Sequence, residues 1–198
     1  MSIKRERRSF VLPIVDVRAA ETDGRRYIEG HAAVFDSLSE DLWGFKEKIA
    51  YGAFSTTIAE DDVVGLFNHD PNHVLGRKSS GTLELREEQA GLWFRCYPPD
   101  TVAGRDVLTL CDRQDLRGCS FSFMTRQDAW NKLNGEWVRT LLDVQLFDVG
   151  PVTFPAYSGT DVQARSAEAG LWIPTPPAPV DDWRTEVFRA RQTLAEIG

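Results

Sequence analysis

Short apolar or alternating runs, each closed by turn residues, recur along most of the chain: Phe10 to Val17, Tyr27 to Phe35, Phe45 to Ile49, Val63 to Phe67, Leu83 to Arg86, Leu92 to Tyr97, Ser120 to Thr125 and Trp137 to Val149. This rhythm is that of strands. It predicts a mainly β fold with flanking helices (α+β), a compact antiparallel sheet closed or nearly closed into a barrel. Glu87 to Gly91, polar and containing Gly, predicts a hairpin between the fifth and sixth runs.

Two segments keep helical spacing instead. Ala103, Val107, Leu110 and Cys111 predict a helix between Asp100 and Gly118, with Asp100 or Thr101 as N-cap and Gly118 as the stop. Tyr51 to Ile58 reads as a shorter helix leading into the run that ends before His69. After Tyr157 the composition turns to small residues and then to Pro174, Pro176, Pro177 and Pro179, which sustain neither helix nor sheet. A globular unit over 10–165, a Pro-rich linker over 166–182 and a C-terminal amphipathic helix over 183–198 are therefore expected. Trp183, Val187, Ala190, Leu194 and Ile197 mark the apolar face of that helix. Residues 1–9, with Lys4, Arg5, Arg7 and Arg8, are expected as a mobile basic end.

With 198 residues, 42% of them hydrophobic, the chain can bury one medium core. A net charge of −7 opposes any role built on neutralising phosphates, so no specific nucleic acid is expected as partner. Cys96, Cys111 and Cys119 are odd in number and lack paired metal spacing, which predicts free thiols in a reducing, cytosolic setting. No apolar run reaches the roughly 18 to 20 residues of a membrane span, and no signal peptide is evident.

Candidate chemistry sits at two places. His69 follows Val63-Val64-Gly65-Leu66-Phe67, where a buried strand would meet a turn. On the strand that opens at Gly118, alternation puts Ser120 and Ser122 on one face and Cys119, Phe121 and Phe123 on the other. A serine hydroxyl becomes a nucleophile when a neighbouring imidazole takes its proton, so His69 and Ser120 form a candidate pair. The same residues also fit a structural histidine and two hydroxyls on a solvated face. Cys119 reads as core. Pro71 forbids the helix that would align His69 with His73 for zinc, and no metal or cofactor is expected.

A third group must orient the imidazole, and a buried carboxylate does this best. Alternation places Asp148 with Val144 and Leu146, and Asp143 with Gln145, which favours Asp148 as the inward acid. An ion pair of Asp148 with Arg77 or Arg139 is the structural alternative. Arg77, Arg126 and Arg139 are candidates to assist an oxyanion, with nothing local to separate them from surface charges. The Gly-x-Ser-x-Gly elbow of α/β-hydrolases is missing.

From Gly30 to Tyr157 the chain resembles the tailed-phage prohead maturation serine proteases, relatives in fold of the herpesvirus assemblins. The resemblance is carried by Gly30-His31-Ala32-Ala33-Val34-Phe35, Tyr51-Gly52-Ala53-Phe54, Asn68-His69-Asp70 with Leu75-Gly76-Arg77, Gly118-Cys119-Ser120-Phe121-Ser122-Phe123, and Leu146-Phe147-Asp148-Val149 through Pro151-Val152-Thr153-Phe154-Pro155-Ala156-Tyr157. It implies a barrel of the herpesvirus-protease type and a serine endopeptidase with Ser120 as nucleophile, His69 as base and an acid as third member. At the position of Asp148 the family usually has Glu, and where it often has Ser this chain has Gly150. The herpesvirus enzymes use a second histidine as third member, which keeps His31 and His73 beside Asp143 as alternatives to Asp148. The substrates implied are the scaffold, or the scaffold-like arm of the major capsid protein, and the protease itself, inside the assembling prohead in the host bacterial cytoplasm. A self-cleaved or targeting segment is expected after about residue 160, and self-association is left open. The rival expectations are a non-enzymatic capsid-assembly or scaffold-binding module on the same fold, and a Cys119- or metal-dependent hydrolase.

Overall fold

The strands divide into two sheets and do not close into one barrel. The computed structural model describes residues 5–10, 18–42, 44–154 and 176–177. In chain order the elements are β1 (Glu6–Phe10), β2 (Arg18–Thr22), β3 (Arg25–Val34), β4 (Phe45–Ile49), α1 (Ser55–Glu60), β5 (Val64–Leu66), β6 (Val74–Arg77), β7 (Leu83–Glu87), β8 (Gly91–Cys96), α2 (Val102–Asp112), β9 (Gly118–Leu133) and β10 (Glu136–Val152). One sheet has six strands in the order β1-β9-β10-β5-β6, with β4 also on β10, and the other runs β2-β3-β8-β7. The expected linker and C-terminal helix, and the run from 11 to 17, lie outside the described residues, save for residues 176 and 177 of the linker.

Two further features of the described residues depart from the expected antiparallel barrel. β4 and β5 both pair with β10 in parallel, so the larger sheet is mixed rather than antiparallel. β9 is also far longer than its apolar run, whereas β10 nearly matches its own. Asn134 (φ 54°) and Gly135 (φ 87°) both take the left-handed conformation of a tight hairpin turn, and this joins the two strands over their whole length. Asp23 and Gly24, at φ 50° and 72°, do the same between β2 and β3.

β10 is long enough to take two neighbours in succession along one edge. β4 lies on residues 137–141 and β5 on 148–149. Between them the edge is met by the α1 region: Val144 N donates to the Ala53 carbonyl at 3.0 Å and Leu146 N to Thr57 Oγ1 at 2.9 Å. α2 is capped by the Thr101 side chain, which accepts from Gly104 N at 3.2 Å, and buries Val107, Leu108 and Cys111. It ends at Asp112, so Gly118 opens β9 instead of stopping the helix. The two sheets enclose a core that includes Ile28, Phe54, Phe94, Phe121, Phe123, Leu141 and Val149.

The basic N-terminal segment is not a free end from residue 6 onward. β1 pairs antiparallel with β9, Glu6 opposite Phe123 and Phe10 opposite Cys119. Its anchor is a buried ion cluster: Arg139 donates to Glu6 at 2.6 Å, Glu47 at 3.0 Å and Asp128 at 2.6 Å, and Arg8 donates to Glu47 at 2.6 Å and Glu6 at 2.8 Å. Burial alone would raise the Glu6 carboxyl, but the charge of Arg8 and the bond from Arg139 outweigh it and hold it below its ordinary 4.5. Its stabilising contribution is therefore full above that value and lost as pH falls through the lower folded one. Arg139→Met leaves Glu6 and Glu47 under-compensated and is expected to cost about 3–5 kcal/mol in denaturant unfolding at neutral pH, with the gap to wild type shrinking under acid. An unchanged midpoint would mean the cluster does not hold β1.

Candidate functional site

Alternation along β9 is as expected over its first residues. Cys119, Phe121 and Phe123 turn into the core, where Phe121 stacks on Phe54 and Phe123 with ring centroids 5.6 and 5.2 Å apart. Ser120 and Ser122 take the opposite face and are themselves fully buried. The packed aromatics thus fix the strand that carries both hydroxyls.

Asp148 reaches that face by a route that plain alternation does not describe. Leu146 pairs with Phe123, yet Asp148 pairs with Ser122, so Phe147 is an extra residue in β10, a bulge. The expectation that Asp148 shares a face with Val144 and Leu146 is therefore corrected: those two stay in the core, and the bulge turns Asp148 to the serine face. Asp148 Oδ1 meets His69 Nδ1, while Oδ2 accepts from Ser122 Oγ and, at 3.1 Å, from Arg5 Nη2. Burial pushes this carboxyl up, but the bond and charge of His69, with Ser122 and Arg5 behind them, hold it below its ordinary 3.8. It stays ionised at neutral pH.

His69 arrives from the turn after β5. Asn68 and His69 both sit in the left-handed region, at φ 53° and 59°, which for residues with a Cβ costs roughly 1–2 kcal/mol each. Asn68 holds the turn against the end of β10. Its N–H donates to the Pro151 carbonyl at 3.1 Å, its Oδ1 accepts from Thr153 N at 2.8 Å, and its Nδ2 donates to Thr153 Oγ1 at 3.1 Å. Gly150 makes the approach feasible, because a Cβ there would lie 2.0 Å from the Leu66 carbonyl oxygen. The imidazole then lies with Nε2 2.6 Å from Ser120 Oγ and Nδ1 on Asp148.

The structure brings Ser120, His69 and Asp148 together and leaves the other candidates elsewhere. Asp143 lies 3.7 Å from Arg126, His31 lies 3.2 Å from Glu88, and His73 lies 3.0 Å from Asp70. Arg77 pairs with Asp62, Arg126 with Asp61, and Arg139 with the Glu6 cluster. Neither Arg77 nor Arg139 is paired with Asp148. Burial raises the Cys119 thiol well above its ordinary value, which leaves it protonated and inert. Among the described residues no group of three His, Cys, Asp or Glu side chains is arranged to hold a metal ion.

Three contributors were not singled out from the chain. Ser122 was legible as a neighbour of Ser120 on one face, but its bond to Asp148 depends on the bulge. Asn68 carried a signal, since Asn tolerates the left-handed region better than most residues. Nothing local distinguished Arg5.

The model of the family described as Caudovirus prohead serine protease matches residues 14–171. No curated protein matches the chain. The solved structure of the bacteriophage T4 capsid assembly protease aligns with 11% identity and a TM-score of 0.46, covering 75% of this chain and 97% of that one.

Gly150→Ala tests how closely β5 must approach β10. A Cβ 2.0 Å from backbone that cannot swing away is expected to cost about 1–3 kcal/mol in thermal or denaturant unfolding. In a crystal structure of the variant, His69 Nε2 is expected to withdraw from Ser120. Wild-type stability with an unmoved imidazole would remove Gly150 from the account.

Proposed function

Because the chain belongs to the Caudovirus prohead serine protease family, we propose that it is a serine endopeptidase of capsid maturation in which Ser120 attacks, His69 is the general base and then acid, and Asp148 orients the imidazole. The observation that carries the reading is His69 itself, bonded through one ring nitrogen to a buried hydroxyl and through the other to a buried carboxylate. Ser120 Oγ adds to the scissile carbonyl carbon while its proton passes to His69 Nε2. The imidazolium that forms is stabilised by Asp148. It returns the proton to the leaving amine as the carbon–nitrogen bond breaks, giving the acyl-enzyme and the first product. Water then attacks the ester carbon by the same base, releasing the acid product and restoring Ser120.

Asp148 suits the third role because Ser122, carried on β9 itself, occupies its other oxygen. A carboxylate so held stays charged and cannot turn away from Nδ1–H. The substrates in this reading are scaffold, or the scaffold-like arm of the major capsid protein, and the chain itself, within the assembling prohead. Confinement in a shell raises local substrate concentration and makes a weak, unselective site adequate.

The rival, a non-enzymatic module on the same fold, is separated by a serine-reactive fluorophosphonate. Labelling of the full chain is expected to disappear in Ser120→Ala; labelling that persists equally in Ser120→Ala sinks the nucleophile. For the third residue, Asp148→Asn is expected to lower peptide turnover by far more than Asp143→Asn, on a scale that reaches about 10⁴ where a triad aspartate is replaced. Equal losses would send the role back to another residue.

A further inference from the structure

The edge of β9 beside Ser120 is occupied by the chain's own β1. Ser9 stands opposite Ser120, and Arg7 opposite Ser122. The Arg8 carbonyl oxygen lies 2.8 Å from Ser120 Oγ and accepts its hydrogen bond, and Ser120 has no exposed surface. Arg5 extends the contact, reaching Asp148 at 3.1 Å while its guanidinium lies 4.6 Å from the centre of the Phe147 ring. With β1 in place, no extended peptide from solution can pair with this edge of β9.

The contact also ties up the chemistry. A serine hydroxyl has one proton, and here two acceptors compete for it, His69 Nε2 and the Arg8 carbonyl. Whenever the proton points at Arg8 it is turned away from the base. Nor is β1 set up to be cut. Attack needs the carbonyl carbon facing Oγ with its oxygen turned to donors elsewhere, and the Arg8 carbonyl offers its oxygen instead.

We propose that β1 is a resident blocking strand that occupies the edge of β9 where an extended segment of protein substrate pairs, and that the site opens by exchange of one strand for the other. The proposal rests on Ser120 being the nucleophile. Among the described residues β1 is the last strand of its sheet, so its departure leaves β9 an edge with unpaired N–H and C=O groups, the template for strand addition. An occupant on the same chain competes at roughly millimolar effective concentration. Dilute substrate is therefore excluded, and substrate crowded to a comparable concentration is admitted. Glu6 and Arg8, anchored in the Arg139 cluster, make opening infrequent.

The test follows fluorophosphonate labelling of Ser120 in the full chain against probe concentration, with two probes of different intrinsic reactivity. Opening of β1 should limit both, so the two rates level off at one shared ceiling. Arg5→Ala, which removes a half-exposed anchor outside the buried cluster, is expected to raise that ceiling about fivefold. Labelling confined to Arg5→Ala would equally support a closed strand. Rates that climb without limit, in proportion to each probe's reactivity, and are indifferent to Arg5→Ala, overturn the blocking strand while leaving Ser120 as nucleophile. Absence of labelling in both forms removes the reactive serine, and the proposal with it.

Discussion

One extra residue in β10 decides where the buried carboxylate of the candidate site points. Because Phe147 is passed over in the pairing with β9, Leu146 and Val149 remain in the core while Asp148 is delivered to the face of Ser122. Without that slip the carboxylate would point among Phe121, Phe123 and Val144, where burying an uncompensated charge is prohibitive. With it, the same burial is offset by an imidazole, a hydroxyl and a guanidinium. The position of His69, the ionisation of Asp148 and the tie between the ends of β5 and β10 all presuppose the register that the bulge sets.

β1 joins this site to a second buried electrostatic centre. Its odd and even residues face different environments: Glu6 and Arg8 enter the Arg139 cluster, and Arg5 bonds to Asp148 on the serine face. A five-residue strand would be a marginal partner for β9 by backbone pairing alone. Breaking buried ion pairs costs several kcal/mol, which keeps so short an edge strand in place. The same charges that made the N-terminus look like a solvated tail are what hold it down.

What the chain made legible follows from which interactions are local. β3, β4, β7, β8 and the hairpin between the last two are periodic segments with turn residues beside them, and they form within a residue or two of expectation. Asn134-Gly135 and Asp23-Gly24 are equally local signals, and reading them as tight hairpin turns would have extended β9 and found β2. The two sheets were not legible, because closure depends on which edges meet. The parallel placement of β4 and β5 on β10 joins residues about ninety positions apart in chain, with no local mark. Ser120 and His69 stand out as a candidate pair from their own segments, each also fitting a structural role. Alternation points to Asp148, but the bulge breaks that alternation, and Asp148 meets His69 because of a register shift that periodicity does not carry.

The two positions at which this chain departs from the pattern it resembles, Asp148 and Gly150, meet in one place. An aspartate is a methylene shorter than the glutamate usual at its position, so an imidazole bonded to it must stand closer to β10. The loop that carries the imidazole follows β5, and β5 pairs with β10 at Asp148 and Val149, one residue before Gly150. There the Leu66 carbonyl occupies the space a Cβ would need. A serine at 150 would hold Leu66, and with it His69, away from the strand. The short acid and the missing side chain are complementary: one requires the close approach that the other permits, and the strained turn at Asn68 and His69, held by Pro151 and Thr153, spans what distance is left.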